Sequence, residues 1–420
     1  MSGGSGFSLP IQVVQGSGLT AWLAEDHSVP VVSLSWSWPG GAALDPEGQE
    51  GAARLAARLM TEGAGNLDAN AFADALRDEA IGLDFGADRD SFEGGFRALA
   101  PALPQAVRLA RLAMTAPRFD PADIARLRAR AIASARQSLE GPRGRGSRAF
   151  WAAAYPNHPA GRPGGGTEES LAALTAEQLR APLARHLRRN DRLLIAAAGA
   201  ITAPQLATLL SDLFSDLPAQ PAETPPPLPA FRDFGTQVVP VAAPQSAILF
   251  GQPGIPPRDP DWETAQVMLR ILGGGGFTAR LTRSIREERG LTYGIATGLD
   301  SLFGQGILVG SCATANARVP ELLTVLRAEW SRMAAEGPTQ EEMQEAVAYL
   351  TGSQPLQFTD SRRISGTLLA MRRNDRPLDW LSRRPERLSA ITRDQAAALA
   401  KRLLRPDALS VTVAGQPEGL

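Results

Sequence analysis

Glu169–Gln178 reads ESLAALTAEQ, and 217 residues later Glu386–Gln395 reads ERLSAITRDQ. Each segment sets a threonine, Thr175 or Thr392, three residues ahead of a glutamine. At that spacing a hydroxyl and an amide satisfy the free N–H groups of a helix start reciprocally. Each then runs through a helix-length stretch into an apolar strand ending Ala-Gly, at Gly199 and Gly415. A period this long is no solenoid repeat. It predicts two copies of one α+β unit. Between Pro218 and Pro229, six of twelve residues are proline, a composition that favours extended chain and cannot continue a helix. The expected division is a first half at 1–217, a linker at 218–234 and a second half at 235–420. Two similar halves joined in this way are expected to enclose a cleft, a favoured place for ligands.

Working outward, VVSLSWSWPG puts Val32, Leu34, Trp36 and Trp38 on one face of a strand. A strand over 11–22 precedes it, with His27-Ser28 in a turn. Helices are predicted near 49–60, 70–79 and 103–114, and a strand–turn–strand over 85–99. Asp120 with a following proline signals a long helix reaching about Leu139. PRGRGS, Pro142–Ser147, reads as a break whose arginines are solvated. The second half repeats the order, with helices over 319–335 and 339–350.

Charge is balanced, at 43 basic against 44 acidic residues, so nothing in it points to a bulk nucleic-acid or anionic-membrane partner. Hydrophobic residues make up 44% of the chain, enough for sizeable cores. Cys312 is the only cysteine, so there is no internal disulfide and no cysteine metal cluster. No apolar run reaches the length of a membrane span. The start, MSGGSGFSLP, lacks the charged and apolar regions of a secretory signal. It reads either as a natural start or as a cap on a chain whose leader was removed.

Arg280–Ile295, RLTRSIREERGLTYGI, follows the glycine run Gly273–Gly276. Gly290 reads as a helix stop, which sets Arg286 near a helix end and Tyr293 on the strand that leaves it. A guanidinium fork and a phenol so placed can hold a peptide carbonyl or carboxylate. The competing reading is a solvated helix charge and a core aromatic. His27, His158 and His186 show no ligand spacing and read as exposed or incidental. Cys312 reads as a buried inert thiol, and Asp88 and Asp90 as part of a polar turn. There is no G-x-S-x-G elbow and no phosphate-loop lysine.

The block GGGGFTARLTRSIREERGLTYGI, the FDPADIARLRA segment, GTEESLAALT and the repeat itself resemble the pitrilysin (insulinase-like) zinc metallopeptidases, over nearly the whole chain. The resemblance implies an α+β fold of two homologous α/β-sandwich halves, together forming one half of a two-chain clamshell. It implies that Arg286 and Tyr293 bind the substrate backbone, and that the glycine run approaches substrate or a domain interface. The family's H-x-x-E-H helix matches GAARLAARLM here. Its two histidine positions are Arg54 and Arg58, its glutamate position is Ala57, and its distal glutamate ligand falls on Ser134. A guanidinium cannot ligate a metal, and Ala57 cannot take a proton.

By this resemblance the chain is expected to have no catalytic residue and no metal of its own. It is expected to be the non-catalytic subunit of a heterodimeric peptidase, similar in role to the alpha subunit of mitochondrial processing peptidase. The partner would be a homologous chain supplying zinc and the general base, with a peptide as substrate. The short glycine form, GGGGFTARL, departs from that subunit's long loop and argues against presequence-like specificity. The expected compartment is the periplasm, with the cytoplasm as the alternative. The competing expectations are a purely structural subunit, like the core proteins of the respiratory bc1 complex, and a peptide-binding module with no peptidase partner.

Overall fold

The computed structural model describes residues 9–420; the Gly/Ser-rich start falls outside the described residues. The chain is α+β with two sheets. The first holds β1 (Gln12–Gly16), β2 (Leu19–Glu25), β3 (Val31–Pro39), β4 (Gly82–Ala87), β5 (Ser91–Leu99) and β6 (Leu194–Gly199), in the order β1-β2-β6-β3-β5-β4. The second holds β7 (Thr236–Pro240), β8 (Gln245–Pro253), β9 (Ile295–Leu302), β10 (Gln305–Ala315) and β11 (Ser410–Gly415), in the order β7-β11-β8-β10-β9. Without β1, the two orders superpose strand for strand. In each the outer pair, β2 with β6 and β7 with β11, is parallel and the remaining pairs are antiparallel. The duplication expected from ESLAALTAEQ and ERLSAITRDQ is therefore present at the level of topology. The segment expected as one strand over 11–22 is two, because Ser17 and Gly18 take positive φ and turn β1 into β2.

Both threonines of the repeat close capping boxes, Thr175 with Gln178 and Thr392 with Gln395. Thr339 and Glu342 do the same for the Gln340–Gly352 helix. In the first unit Val32, Leu34, Trp36 and Trp38 are at most 1% exposed. Trp36 meets Phe85, Phe96 and Phe214 edge-on at 5.7–6.2 Å, a geometry that adds to the area buried. Gly94 leaves that ring its room, since a Cβ there would stand 2.6 Å from the indole.

The contacts group the chain into two units that are discontinuous in sequence. Unit 1 takes residues up to Arg136, Pro163–Pro226 and Pro355–Ser382; unit 2 takes Gln137–Arg162, Pro227–Gln354 and Arg383–Leu420. The division expected at the linker alone is thus crossed by two helices. Ser361–Arg373 packs on β3 and β6. The serines of SLSWSW that alternate with the tryptophans face this helix: Ser33 meets Ser361 at 2.9 Å, Ser35 meets Ser365 at 2.8 Å, and Arg373 donates to Ser37 at 2.9 Å. Arg372 donates to the carbonyls of Thr20 and Ile195, bridging the parallel pair. Reciprocally, Pro142–Ala154 packs on β8 and β11 of the second sheet.

PRGRGS is therefore not a break but the first turns of that second helix, with Pro142 in the first turn, where its missing N–H costs nothing. Its glycines serve close approach. A Cβ at Gly144 would sit 1.6 Å from the Ser138 carbonyl, and one at Gly146 would sit 3.0 Å from the Ala414 methyl. Among the described residues no helix is long and apolar enough to cross a membrane.

Candidate functional site

Arg54, Ala57 and Arg58 lie on the Ala52–Leu59 helix of unit 1. Arg54 is half-buried and Arg58 exposed, whereas Ala57 is 0% exposed within the first core. A glutamate at position 57 would have to enter apolar surroundings. Arg54 donates from Nε to the Ala87 carbonyl at 3.2 Å, and its Nη2 lies 3.7 Å from Asp88. Ser134 is exposed on the Pro121–Ser138 helix. The residues present do not fit a zinc ion. Two cationic guanidiniums stand where imidazole lone pairs would be needed, and the distal position is a hydroxyl facing solvent. Among the described residues no group of three or more His, Cys, Asp or Glu side chains is arranged to hold a metal.

In unit 2, Arg286 belongs to a π-helical turn, Thr282–Glu287, rather than to a regular α-helix. The Glu288 N–H reaches back five residues to the Arg283 carbonyl at 2.9 Å. Such widened turns re-aim side chains and recur at functional sites. Gly290 stops the segment at φ +58, as its position suggested. The Arg286 guanidinium sits 4.6 Å over the Phe277 ring and 3.3 Å from Glu287. Phe277, at the end of the glycine run, is 64% exposed and was missed by the sequence reading; an aromatic directly after four glycines is the signal that could have found it.

Tyr293 lies two residues before β9, in the connection rather than on the strand. It is 90% exposed, not a core aromatic. Its neighbours fix it. Thr292 Oγ1 donates to the Ala313 carbonyl at 2.7 Å and accepts from the Gly294 N–H at 3.2 Å. On the other side Thr314 Oγ1 donates to the Leu291 carbonyl at 2.5 Å. A large phenol is thus held out to solvent on a tied backbone.

The glycine run touches its own unit. Gly273 O accepts from the Thr297 N–H of the edge strand β9 at 3.1 Å, and a Cβ on Gly273 would strike Thr297 and Leu281. Gly275 yields to Arg270, whose guanidinium lies 3.5 Å over Tyr349. The π-helical turn is anchored from below by Arg280, which donates to both Glu342 oxygens at 2.7 Å and to the Gly337 carbonyl at 2.9 Å.

His27 pairs with Glu25 at the surface. His158 and His186, expected to be exposed or incidental, are 8% and 2% exposed. His186 ends its helix against the stacked ring of Phe92, and burial pushes its pKa down to about 4. Cys312 is buried, and burial pushes its thiol up to about 12, which leaves it inert. Asp88 and Asp90 do form a turn, its backbone tied to Gly40, Ala42 and Ser91.

Residues 173–350 match the family described as Peptidase M16 inactive domain. Over 261 residues the chain is 29% identical to an uncharacterized zinc protease of Mycobacterium leprae, in an alignment taking in 61% of this chain and 58% of that protein. It thus spans less than two thirds of that relative's length. It is 24% identical over 349 residues to a non-peptidase homolog of Helicobacter pylori, covering 82% of this chain and 79% of the relative. In fold it is similar to the crystal structure of a peptidase M16 inactive domain from Pseudomonas fluorescens, with a TM-score of 0.91 at 24% identity over 97% of this chain and 98% of the other. The resemblance read from the sequence is thereby borne out: the chain is similar to M16 peptidases and to their inactive homologues. Outside the matched residues, Arg54 and Arg58 on the Ala52–Leu59 helix offer no metal ligand, which fits the likeness to the non-peptidase homolog.

Proposed function

We propose that this chain is the substrate-binding, non-catalytic subunit of a two-chain peptidase. In this reading a homologous chain with an intact H-x-x-E-H helix supplies zinc and the general base. Arg286 and Tyr293 hold the peptide backbone near the bond to be cut. Their contribution is positioning and charge stabilisation, with no proton transferred by this chain. The observation that carries the reading is the presentation of Tyr293: a phenol 90% exposed on a backbone tied by Thr292 and Thr314. A structural residue has no need of that exposure, and a binding residue does. We further propose the periplasm as its compartment, to be checked by fractionation.

The test is reconstitution. The chain is mixed with an H-x-x-E-H homologue from the same genome, and cleavage of quenched-fluorescent peptides is followed. Activity should appear only in the mixture. Arg286→Ala and Tyr293→Ala should each lower kcat/KM at least about tenfold while the two chains still co-elute. Fully active variants would defeat the reading, and so would one tightly held zinc per isolated chain. A second reading, a purely structural subunit, is favoured by one observation: Arg286 already has Glu287 at 3.3 Å and the Phe277 ring beneath it. It predicts a stable complex in which neither variant changes turnover.

A further inference from the structure

Unit 1 carries two cavities of about 280 Å³ each, opening beside β4, the edge strand of its sheet, and sharing Asp84 and Glu93. Arg54 and Arg58 wall one, along the backbone of Gly86 and Ala87. Arg97, Arg362 and Arg373 line the other. The shared acids are already matched from the exchanged helix. Arg362 donates to Asp84 at 2.8 Å, and Arg373 pairs with Glu93. Asp88 is the only other carboxylate in either wall, so once Arg362 and Arg373 have matched Asp84 and Glu93, Arg54 and Arg58 face a single carboxylate.

The two arginines on the degenerate metal helix are the ones left over. Arg54 is steadied by its Nε bond to Ala87, and its Nη2 makes only a 3.7 Å approach to Asp88. Arg58 has no ion pair among the described residues. One helical turn apart, the two stand on the same face. Their forked donors match the geometry of a carboxylate. We propose that this face, which cannot hold a metal cation, binds a carboxylate instead: an acidic side chain or the free carboxyl end of a peptide, gripped between Arg54 and Arg58. The cavity of about 280 Å³ that they wall beside edge strand β4 leaves room for an adjoining residue of such a peptide.

The experiment uses the full chain alone, so it does not depend on a catalytic partner or on Arg286 and Tyr293. Three fluorescein-labelled peptides are titrated by anisotropy: a glutamate-rich peptide with an amidated end, a neutral peptide with a free carboxyl end, and a neutral amidated peptide. One or both carboxylate peptides should bind saturably, more weakly as salt is raised, and the third should not. The first two arms tell a side-chain from a chain-end carboxylate. Arg54→Gln/Arg58→Gln should weaken that binding about tenfold or more. The charge-matched control Arg130→Gln/Arg143→Gln, at exposed helix positions, should leave it unchanged. If the double variant does not fold, Arg58→Gln alone, exposed and unpaired, should still weaken binding several-fold. The proposal is overturned if the wild type does not prefer the carboxylate peptides. It is equally overturned if the helix variants bind as the wild type does, or if the control loses as much.

Discussion

Removing the Glu342 carboxylate probes the anchor beneath the π-helical turn. In the native fold the Arg280 side chain is 7% exposed and that of Glu342 25%, and two bonds of 2.7 Å join them. Glu342 also accepts from the Thr339 N–H at 2.8 Å, as half of a capping box. In Glu342→Ala the guanidinium stays buried with the Gly337 carbonyl as its remaining acceptor, and one helix-start N–H is left open. Breaking a buried pair from one side costs about 3–5 kcal/mol, and losing a cap bond adds roughly 0.5–2 kcal/mol. Because Glu342 is a quarter exposed, water recovers part of this, and a loss of about 3 kcal/mol is expected. Glu342→Gln, which keeps an acceptor for Thr339, should lose less than half as much. Urea unfolding followed by tryptophan fluorescence, to which Trp330, fully buried in the same unit, contributes, measures both.

The pair also fixes a pH dependence. Burial pushes the Glu342 carboxyl up, but the hydrogen bonds from Arg280 and the Thr339 backbone outweigh it, and the net shift is below 4.5. A carboxyl depressed in the folded state contributes its full stability above its unfolded pKa and loses it as pH falls through the folded one. The gap between wild type and Glu342→Gln should therefore close on acidification below about pH 4.5. A Glu342→Ala loss under about 1 kcal/mol, or an Arg280–Glu342 coupling under about 0.5 kcal/mol in a double-mutant cycle, would refute the assignment of Arg280 as anchor.

His186, pushed from 6.5 to about 4, stays neutral in the fold while the unfolded chain takes up a proton. Stability should fall by up to about 3 kcal/mol between pH 6.5 and 4, and His186→Gln should lack that slope in urea midpoints. Cys312 should resist thiol reagents until the chain unfolds; labelling at native pH on the timescale of an exposed thiol would contradict its burial. Two helical glycines should respond oppositely to alanine. Gly366 has nothing within 4 Å of its Cβ position, so Gly366→Ala should gain about 0.5–1 kcal/mol. Gly144→Ala should destabilise, because its methyl meets the Ser138 carbonyl.

The duplication was legible because it is written in local chemistry: the capping pairs at Thr175 and Thr392 depend only on residues three apart. The tryptophan face of β3 was legible for the same reason, as a period of two. The exchanged helices were not. Nothing within SLSWSW says that its serines meet Ser361 and Ser365, more than 300 positions away. PRGRGS misled because glycine and proline normally mark a break, whereas here distant packing demanded small residues inside a helix. At the candidate site it was the family resemblance, not the local pattern around Gly290, that singled out Arg286 and Tyr293, and their role remains a proposal. The widened helical turn and the exposed Phe277 beside Arg286 could not be read from either, since both depend on how the glycine run folds onto Arg270 and β9.

The traded helices set an order of assembly during synthesis. When the ribosome has made residues up to Pro355, every strand of the first sheet is already present, yet its Ala196 and Ala198 face still awaits Leu368, Leu369 and Met371. The earliest-made sheet is thus among the last parts to be finished. A premature stop shortly after Pro355 would leave an apolar wall open in the N-terminal portion, so the cell's quality control would read a C-terminal truncation as an N-terminal folding failure.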